Sequence, residues 1–278
     1  MAGVMPCLGF DWKISEVEGV KYVSLDQVGE FYRLKNRKEE AGKVTLTNSG
    51  LTLEFAADSK IVFFNKVKFS LKLPVLKKDE FFLVSKEDLT LIVDSVLRPS
   101  KIEGVGKIET IILDMGEEGW PLRREIEERL EKRDFTVVIH GRAEKPLTLA
   151  GRIKAANEGQ GDIYLQVIVK KGQDGVVRTT TIGKESKASV ALATALHWTI
   201  NDNSPVKLVD DGISVGNDAA FEKLEIPGVR IEVTVVQGDV ERDVDKKLIT
   251  HLSRKISGGL FFAKSAFGPV DDELREEK

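Results

Sequence analysis

The feature that most constrains the fold is a strand–helix rhythm that begins at residue 108. Residues 108–114 form a nearly unbroken apolar run, the pattern of a short strand covered on both faces. Pro121 then suits the first turn of a helix, where its missing N–H costs nothing, and Leu122, Ile126 and Leu130 follow at i, i+4 and i+8. A second apolar strand spans 135–139, a helix spans 149–157 and stops at Gly159, and a third apolar strand spans 163–169. Alternation of this kind builds parallel strands joined by helical crossovers. A hairpin is expected around Gly172-Gln173-Asp174-Gly175. Beyond it come a helix at 188–198, with Val190, Ala191, Thr194, Ala195 and Trp198 on one face, and a strand at 229–235. Val244, Leu248, Leu252 and Ile256 stripe a last helix. Residues 105–265 thus read as an α/β domain whose mostly parallel sheet is covered by helices, and 266–278 as a charged, frayed tail.

The first hundred residues have a different grain. Ser24 and Gln27 have capping-box spacing ahead of the apolar stripe Val28, Phe31 and Tyr32, which marks a helix start. Residues 43–47 and 51–55 alternate as strands around the turn Asn48-Ser49-Gly50, and 61–64 and 67–71 repeat this around Asn65-Lys66. Val23-Ser24-x-x-x-Val28 recurs as Val84-Ser85-x-x-x-Leu89, a strand feeding a Ser-capped helix twice. Residues 12–100 therefore read as a small, internally duplicated α+β domain that ends at the break Leu97-Arg98-Pro99-Ser100. Phe63, Phe64, Phe69, Phe81 and Phe82 supply its core, and the adjacent pairs turn one ring of each outward.

Composition narrows the chemistry. The 278 residues carry 42 Lys plus Arg against 45 Asp plus Glu, a formal charge of -3, so no basic field draws the chain to nucleic acid. The one cysteine, Cys7, allows neither an internal disulfide nor a thiolate metal cluster. No run reaches the ~20 apolar residues of a membrane span, and the first residues show no export signal. As the remnant of a lipidation site, Cys7 fits the preceding residues poorly. A Gly-x-Ser-x-Gly nucleophile elbow is absent, Gly104-Val105-Gly106 precedes a strand where a phosphate loop would follow one, and no two of His140, His197 and His251 have the spacing of a metal clip.

Five phrases, in order, carry a resemblance. They are Ile111-Ile112-Leu113-Asp114-Met115-Gly116-Glu117-Glu118-Gly119, Leu130-Glu131-Lys132-Arg133-Asp134-Phe135-Thr136-Val137-Val138, Leu149-Ala150-Gly151-Arg152-Ile153-Lys154-Ala155-Ala156-Asn157, Gly161-Asp162-Ile163-Tyr164-Leu165 and Pro227-Gly228-Val229-Arg230-Ile231-Glu232. Together, over residues 108–263, they resemble the zinc-dependent N-acetylmuramoyl-L-alanine amidases, which cut the bond between glycan and stem peptide in peptidoglycan. The N-terminal module is similar to the copper-amine-oxidase N-terminal type of wall-associated domain, which is expected to bind no copper. The resemblance implies an envelope or periplasmic location and peptidoglycan or a cell-wall protein as partner.

It also implies a Zn²⁺ held by two histidines and a glutamate, with a later glutamate as general base. Here the first histidine position falls on Glu117 and the second on Ile168, and the loop that brings the glutamate ligand is cut short before Pro121. Only Glu232 stands at the general-base position, where Arg230, two residues earlier on the same strand face, is the expected ion-pair partner. The expectation is thus no metal and no cofactor, and a catalytically degenerate amidase-type protein that binds or scaffolds at the cell wall. The alternative is an active N-acetylmuramoyl-L-alanine amidase with an atypical metal site built from Glu117, a histidine and Glu232, and a third reading is a pure protein–protein module. Glu117 and Glu118 are further candidates for contact with a cation or a muropeptide amine, against the plainer reading of a solvated turn.

Overall fold

The computed structural model describes residues 10–102, 104–115, 120–140, 147–159, 161–202, 204, 208–216, 218–236 and 242–267. Glu117 and Glu118, and the tail from residue 268, lie outside them. The chain divides into two compact units, one of Met1–Lys66 with Leu71–Thr90, the other of Val67–Ser70 with Leu91–Lys278.

The N-terminal half runs through β1 (Ser15–Val17), β2 (Val20–Ser24), α1 (Leu25–Phe31), β3 (Asn36–Glu40), β4 (Lys43–Thr47), β5 (Thr52–Ala56), β6 (Ile61–Phe64), β7 (Val67–Ser70), β8 (Leu76–Lys78), β9 (Phe81–Ser85) and the helical turn α2 (Lys86–Asp88). In the smaller unit β3, β4, β5 and β6 form an antiparallel meander, while β1-β2-β9-β8 form a second sheet. The duplicated phrase pairs with itself in that second sheet, Val23 opposite Val84 and Ser24 opposite Leu83. Both serines cap: Ser24 Oγ accepts from Gln27 N–H, and Ser85 Oγ from Asp88 N–H. Phe64 and Phe82 are buried whereas Phe63 and Phe81 face solvent, as alternation along a strand requires.

The larger unit adds a π-turn (Leu89–Val93) that crosses into α3 (Asp94–Leu97), then β10 (Thr110–Asp114), α4 (Trp120–Glu131), β11 (Thr136–His140), α5 (Leu149–Glu158), β12 (Ile163–Gly172), β13 (Val176–Ile182), α6 (Lys187–Asn201), β14 (Val209–Val215), β15 (Gly228–Val236) and α7 (Arg242–Phe267). Its strands lie in the order β11-β10-β12-β15-β13-β14-β7. This sheet is mixed: β13 runs antiparallel to β15, while the other five neighbour pairs are parallel, so the expected parallel strands are present but not alone. The turn at 172–175 does not make a hairpin either. β15 inserts between β12 and β13, so these two sequence neighbours never pair.

The two sheet faces are covered unequally. Alternate residues such as Ile111, Leu113, Leu165, Val167, Ile231 and Val233 are buried; α6 packs on β13, β14 and β15, α7 on α6, and α4 on α7. On the opposite face α5 and the turn Ala219–Phe221 close a smaller core of Ile112, Ile153, Ala156, Tyr164, Ile182, Phe221 and Leu224. That core takes Ile112 from the middle of β10 and Tyr164 from the start of β12. Asn157 ties it down, donating Nδ2–H to Lys223 O (2.7 Å) and accepting at Oδ1 from Glu225 N–H (3.0 Å). Gly212 permits the bulge in the β13–β14 pairing: its φ is +84°, and a Cβ there would stand 2.4 Å from Lys68 O.

Candidate functional site

Open α/β sheets place their sites toward the carboxyl ends of parallel strands, and here a row of polar side chains starts at Asp114, the last residue of β10, and runs through Gln166 and Arg230 in the first halves of β12 and β15. The ladder registers put Asp114 beside Gln166, Gln166 beside Arg230, Arg230 beside Thr180, and Thr180 beside Ser214. In-register neighbours project to one face, so the row crosses the sheet just past the small core under α5.

The row is knitted around Asp114, which is fully buried. Its Oδ2 accepts from Tyr164 Oη–H (2.5 Å), Gln166 Nε2–H (2.9 Å) and Arg152 Nε–H (3.0 Å). Arg152 reaches in from α5 and also donates Nη1–H to Leu147 O (2.7 Å). Gln166 turns its carbonyl to Arg230 Nε–H (2.7 Å); Arg230 in turn pairs with Asp218 (2.8 Å) and lies over the Phe221 ring, 4.8 Å from its centroid. Burial, and after it the Asp114 charge, raises the Tyr164 phenol far above the ordinary tyrosine range. Tyr164 is therefore a fixed proton donor to Asp114 and no acid at neutral pH.

One step further along the strands, Ile168 is the register partner of Glu232, and Glu232 that of Arg178. The structure thus brings the two positions singled out on β12 and β15 side by side. The expected Arg230–Glu232 ion pair is not formed, because Arg230 is drawn back to Gln166 and Asp218, and Glu232 Oε1 instead accepts from Lys170 Nζ–H at 2.9 Å. Arg178 is likewise taken by Asp211, which also holds Lys68. A zinc centre needs nitrogen, sulfur or carboxylate donors converging on a point. Ile168 has none to offer and the Glu232 carboxylate is held by an ammonium, so the described residues do not fit the metal that the resemblance implies; no group of three or more His, Cys, Asp or Glu side chains suited to a metal occurs among them.

Of the histidines, the side chain of His140 lies outside the described residues. His197 is fully buried on α6, with Nδ1 2.8 Å from Thr179 Oγ1 and Nε2 2.8 Å from Asp210 Oδ1. Burial pushes the Asp210 carboxyl up, but the hydrogen bond and charge of His197, with Gly212 N–H and Asn201, bring it below its ordinary range. Although the order Thr–His–Asp resembles a nucleophilic triad, Thr179 is fully buried and no substrate reaches it. His251 is tied to Ile200 O (3.1 Å). Both are hydrogen-bonded core histidines.

Of the residues that organise the row, Arg152, Tyr164, Gln166 and Asp218 were not singled out by sequence reasoning, and Arg230 was singled out only as a partner for Glu232. One signal was present: Asp114 closes an apolar strand run, and Gln166 and Arg230 each interrupt another.

Among solved structures the chain is similar to N-acetylmuramoyl-L-alanine amidases. It matches the one from Clostridium difficile 630 at 19% identity and TM-score 0.47, over 58% of this chain and 99% of that one. Ami1 from Mycobacterium smegmatis matches at 11% identity and TM-score 0.48, over 57% and 97%. The CwlD amidase of Clostridioides difficile, in complex with the GerS lipoprotein, matches at 12% identity and TM-score 0.40, over 57% and 98%. No protein-family model and no curated protein matches the chain.

Proposed function

We propose that this chain is an amidase-type component of the cell envelope that recognises peptidoglycan, or a protein bound to it, without hydrolysing it. The observation that carries the reading is the pair Ile168 and Glu232. At the strand positions where the resemblance asks for a metal ligand and a general base, a hydrocarbon side chain stands beside a carboxylate held by Lys170. A general base acts on a water activated by a neighbouring group. Glu232, flanked by Ile168 and salt-bridged to Lys170, has no such neighbour among the described residues, so its role is positional. Glu117 and Glu118 stay candidates for contact with an amine on the wall polymer.

Two measurements on the full chain test this. Co-sedimentation with purified peptidoglycan sacculi is expected to carry the protein into the pellet, and protein left in the supernatant overturns the recognition role. Metal analysis with a muropeptide assay is expected to give neither stoichiometric zinc nor released stem peptide. Finding both restores the hydrolytic reading.

A further inference from the structure

The face of α5 that carries Asn157 borders a cleft of about 1150 Å³, closed on its other sides by the turn Lys184-Glu185 and by segment 219–225. Ile153 and Leu224 are buried beneath it, and Ala150, Ala219 and Ala220 keep it open. Its walls are fixed: Asn157 clamps Lys223 and Glu225 through their backbone, and Lys184 N–H donates to Leu224 O (3.1 Å). The rim is different in kind from the polar row described above. Lys184, Lys223, Glu222 and Glu225 stand exposed around it, and none has an ion-pair partner among the described residues.

We propose that this cleft binds a short peptide carrying both ammonium and carboxylate groups. Its volume, at the upper end of the ~300–1,000 Å³ typical of ligand clefts, leaves room for an extended oligomer. Both signs of charge are present and unpaired. A purely anionic ligand would face Glu222 and Glu225, a purely cationic one Lys184 and Lys223, and either would meet like charge across the cleft. Only a ligand with both signs answers all four, and a floor built partly of alanines lets an extended backbone lie close. The proposal needs the cleft alone and does not rest on the cell-wall reading: sacculus binding can fail while the peptide binds, and the reverse.

The test is a ¹⁵N-chemical-shift titration of the full chain with two hexapeptide probes, Ala-Lys-Ala-Glu-Ala-Ala with free termini and a neutral counterpart with glutamine at both charged positions and blocked ends. The charged probe is expected to shift the amides of 150–158 and 219–225 saturably, at least about fivefold tighter than the neutral one. The gap should narrow as salt shortens the Debye length from about 14 Å to about 4 Å. Lys184→Glu combined with Lys223→Glu is expected to weaken the charged probe at least about fivefold, Ala220→Trp to block both probes by filling the cleft, and Lys78→Glu, outside the cleft, to change nothing. Retained spectral dispersion shows that each variant is folded. Absence of saturable shifts in these segments at about 10 mM probe, equal binding of the two probes, or indifference to the double charge reversal overturns the proposal.

Discussion

Asp114→Ala removes the acceptor shared by Tyr164, Gln166 and Arg152, and the size of the loss follows from what each donor can do next. A hydrogen bond to a charged group contributes about 1.5–3 kcal/mol, but the three do not add, because they converge on one oxygen. Gln166 keeps Arg230 through its other end, and the Arg152 side chain, 20% exposed, recovers part of its hydration. Tyr164 has no such escape, since its ring is fully buried against Phe221. Removing one partner of a buried pair costs about 3–5 kcal/mol, and that range is expected here. For a unit of this size it corresponds to a fall in Tm of roughly 6–20 °C. Urea denaturation followed by circular dichroism measures it, and Arg152→Met in the same background closes a double-mutant cycle. If Asp114 and Arg152 form one unit, the double variant loses at least about 1 kcal/mol less than the two single losses together. A cost below about 1 kcal/mol for Asp114→Ala, or strict additivity, would refute the reasoning.

Asn157→Ala deletes two backbone clamps and is expected to cost about 1–3 kcal/mol, with faster amide hydrogen exchange at Glu225 as the local signature. Glu232→Ala is expected to change stability by no more than about 1 kcal/mol, because its partner Lys170 is 55% exposed; a coupling above that value in a cycle with Lys170→Ala would contradict the geometry. His251 is held below the ordinary histidine range, by burial first and then by Lys255 and Arg254, against the opposing pull of the Ile200 carbonyl and Asp202. The unfolded chain therefore binds this proton more readily than the folded one. Stability is expected to fall as pH drops below about 6.5, and to fall less steeply in His251→Gln, as denaturation curves from pH 7 to 5 would report.

What was legible in the sequence is what local pattern determines. The apolar runs that became β10, β12 and β15, the i, i+4 stripes of α4 and α7, and the serines that cap α1 and α2 each state their structure within a few residues. Features specified by distant partners were not legible. β3, Asn-Arg-Lys-Glu-Glu, has no apolar residue and is a strand only because β4 supplies its ladder. β14 opens Val209-Asp210-Asp211-Gly212, which reads as a turn. Its acids are absorbed by His197, Arg178 and Lys68, which lie 13, 33 and 143 positions away. The insertion of β15 between β12 and β13 follows from strand order, and no turn signal at 172–175 could exclude it. Arg230 illustrates the same limit at the site. Two positions from Glu232 on one strand face it invites an ion pair, but the neighbouring strand brings Gln166 into register and the 218–221 turn brings Asp218 and the Phe221 ring.

Charge balance across the row bears on the chemistry more directly than any single residue. A site that holds a divalent cation concentrates acceptors and leaves them short of positive charge until the ion arrives. Here each described carboxylate in the row or beside it already has its own cation: Asp114 has Arg152, Asp218 has Arg230 and Glu232 has Lys170. An incoming metal would have to displace a guanidinium or an ammonium held at 2.8–3.0 Å, and at Asp114 it would also break the hydrogen bonds from Tyr164 and Gln166. The same balance leaves the row nearly neutral, and the buried Asp114, Tyr164 and Gln166 spend their donors and acceptors on one another.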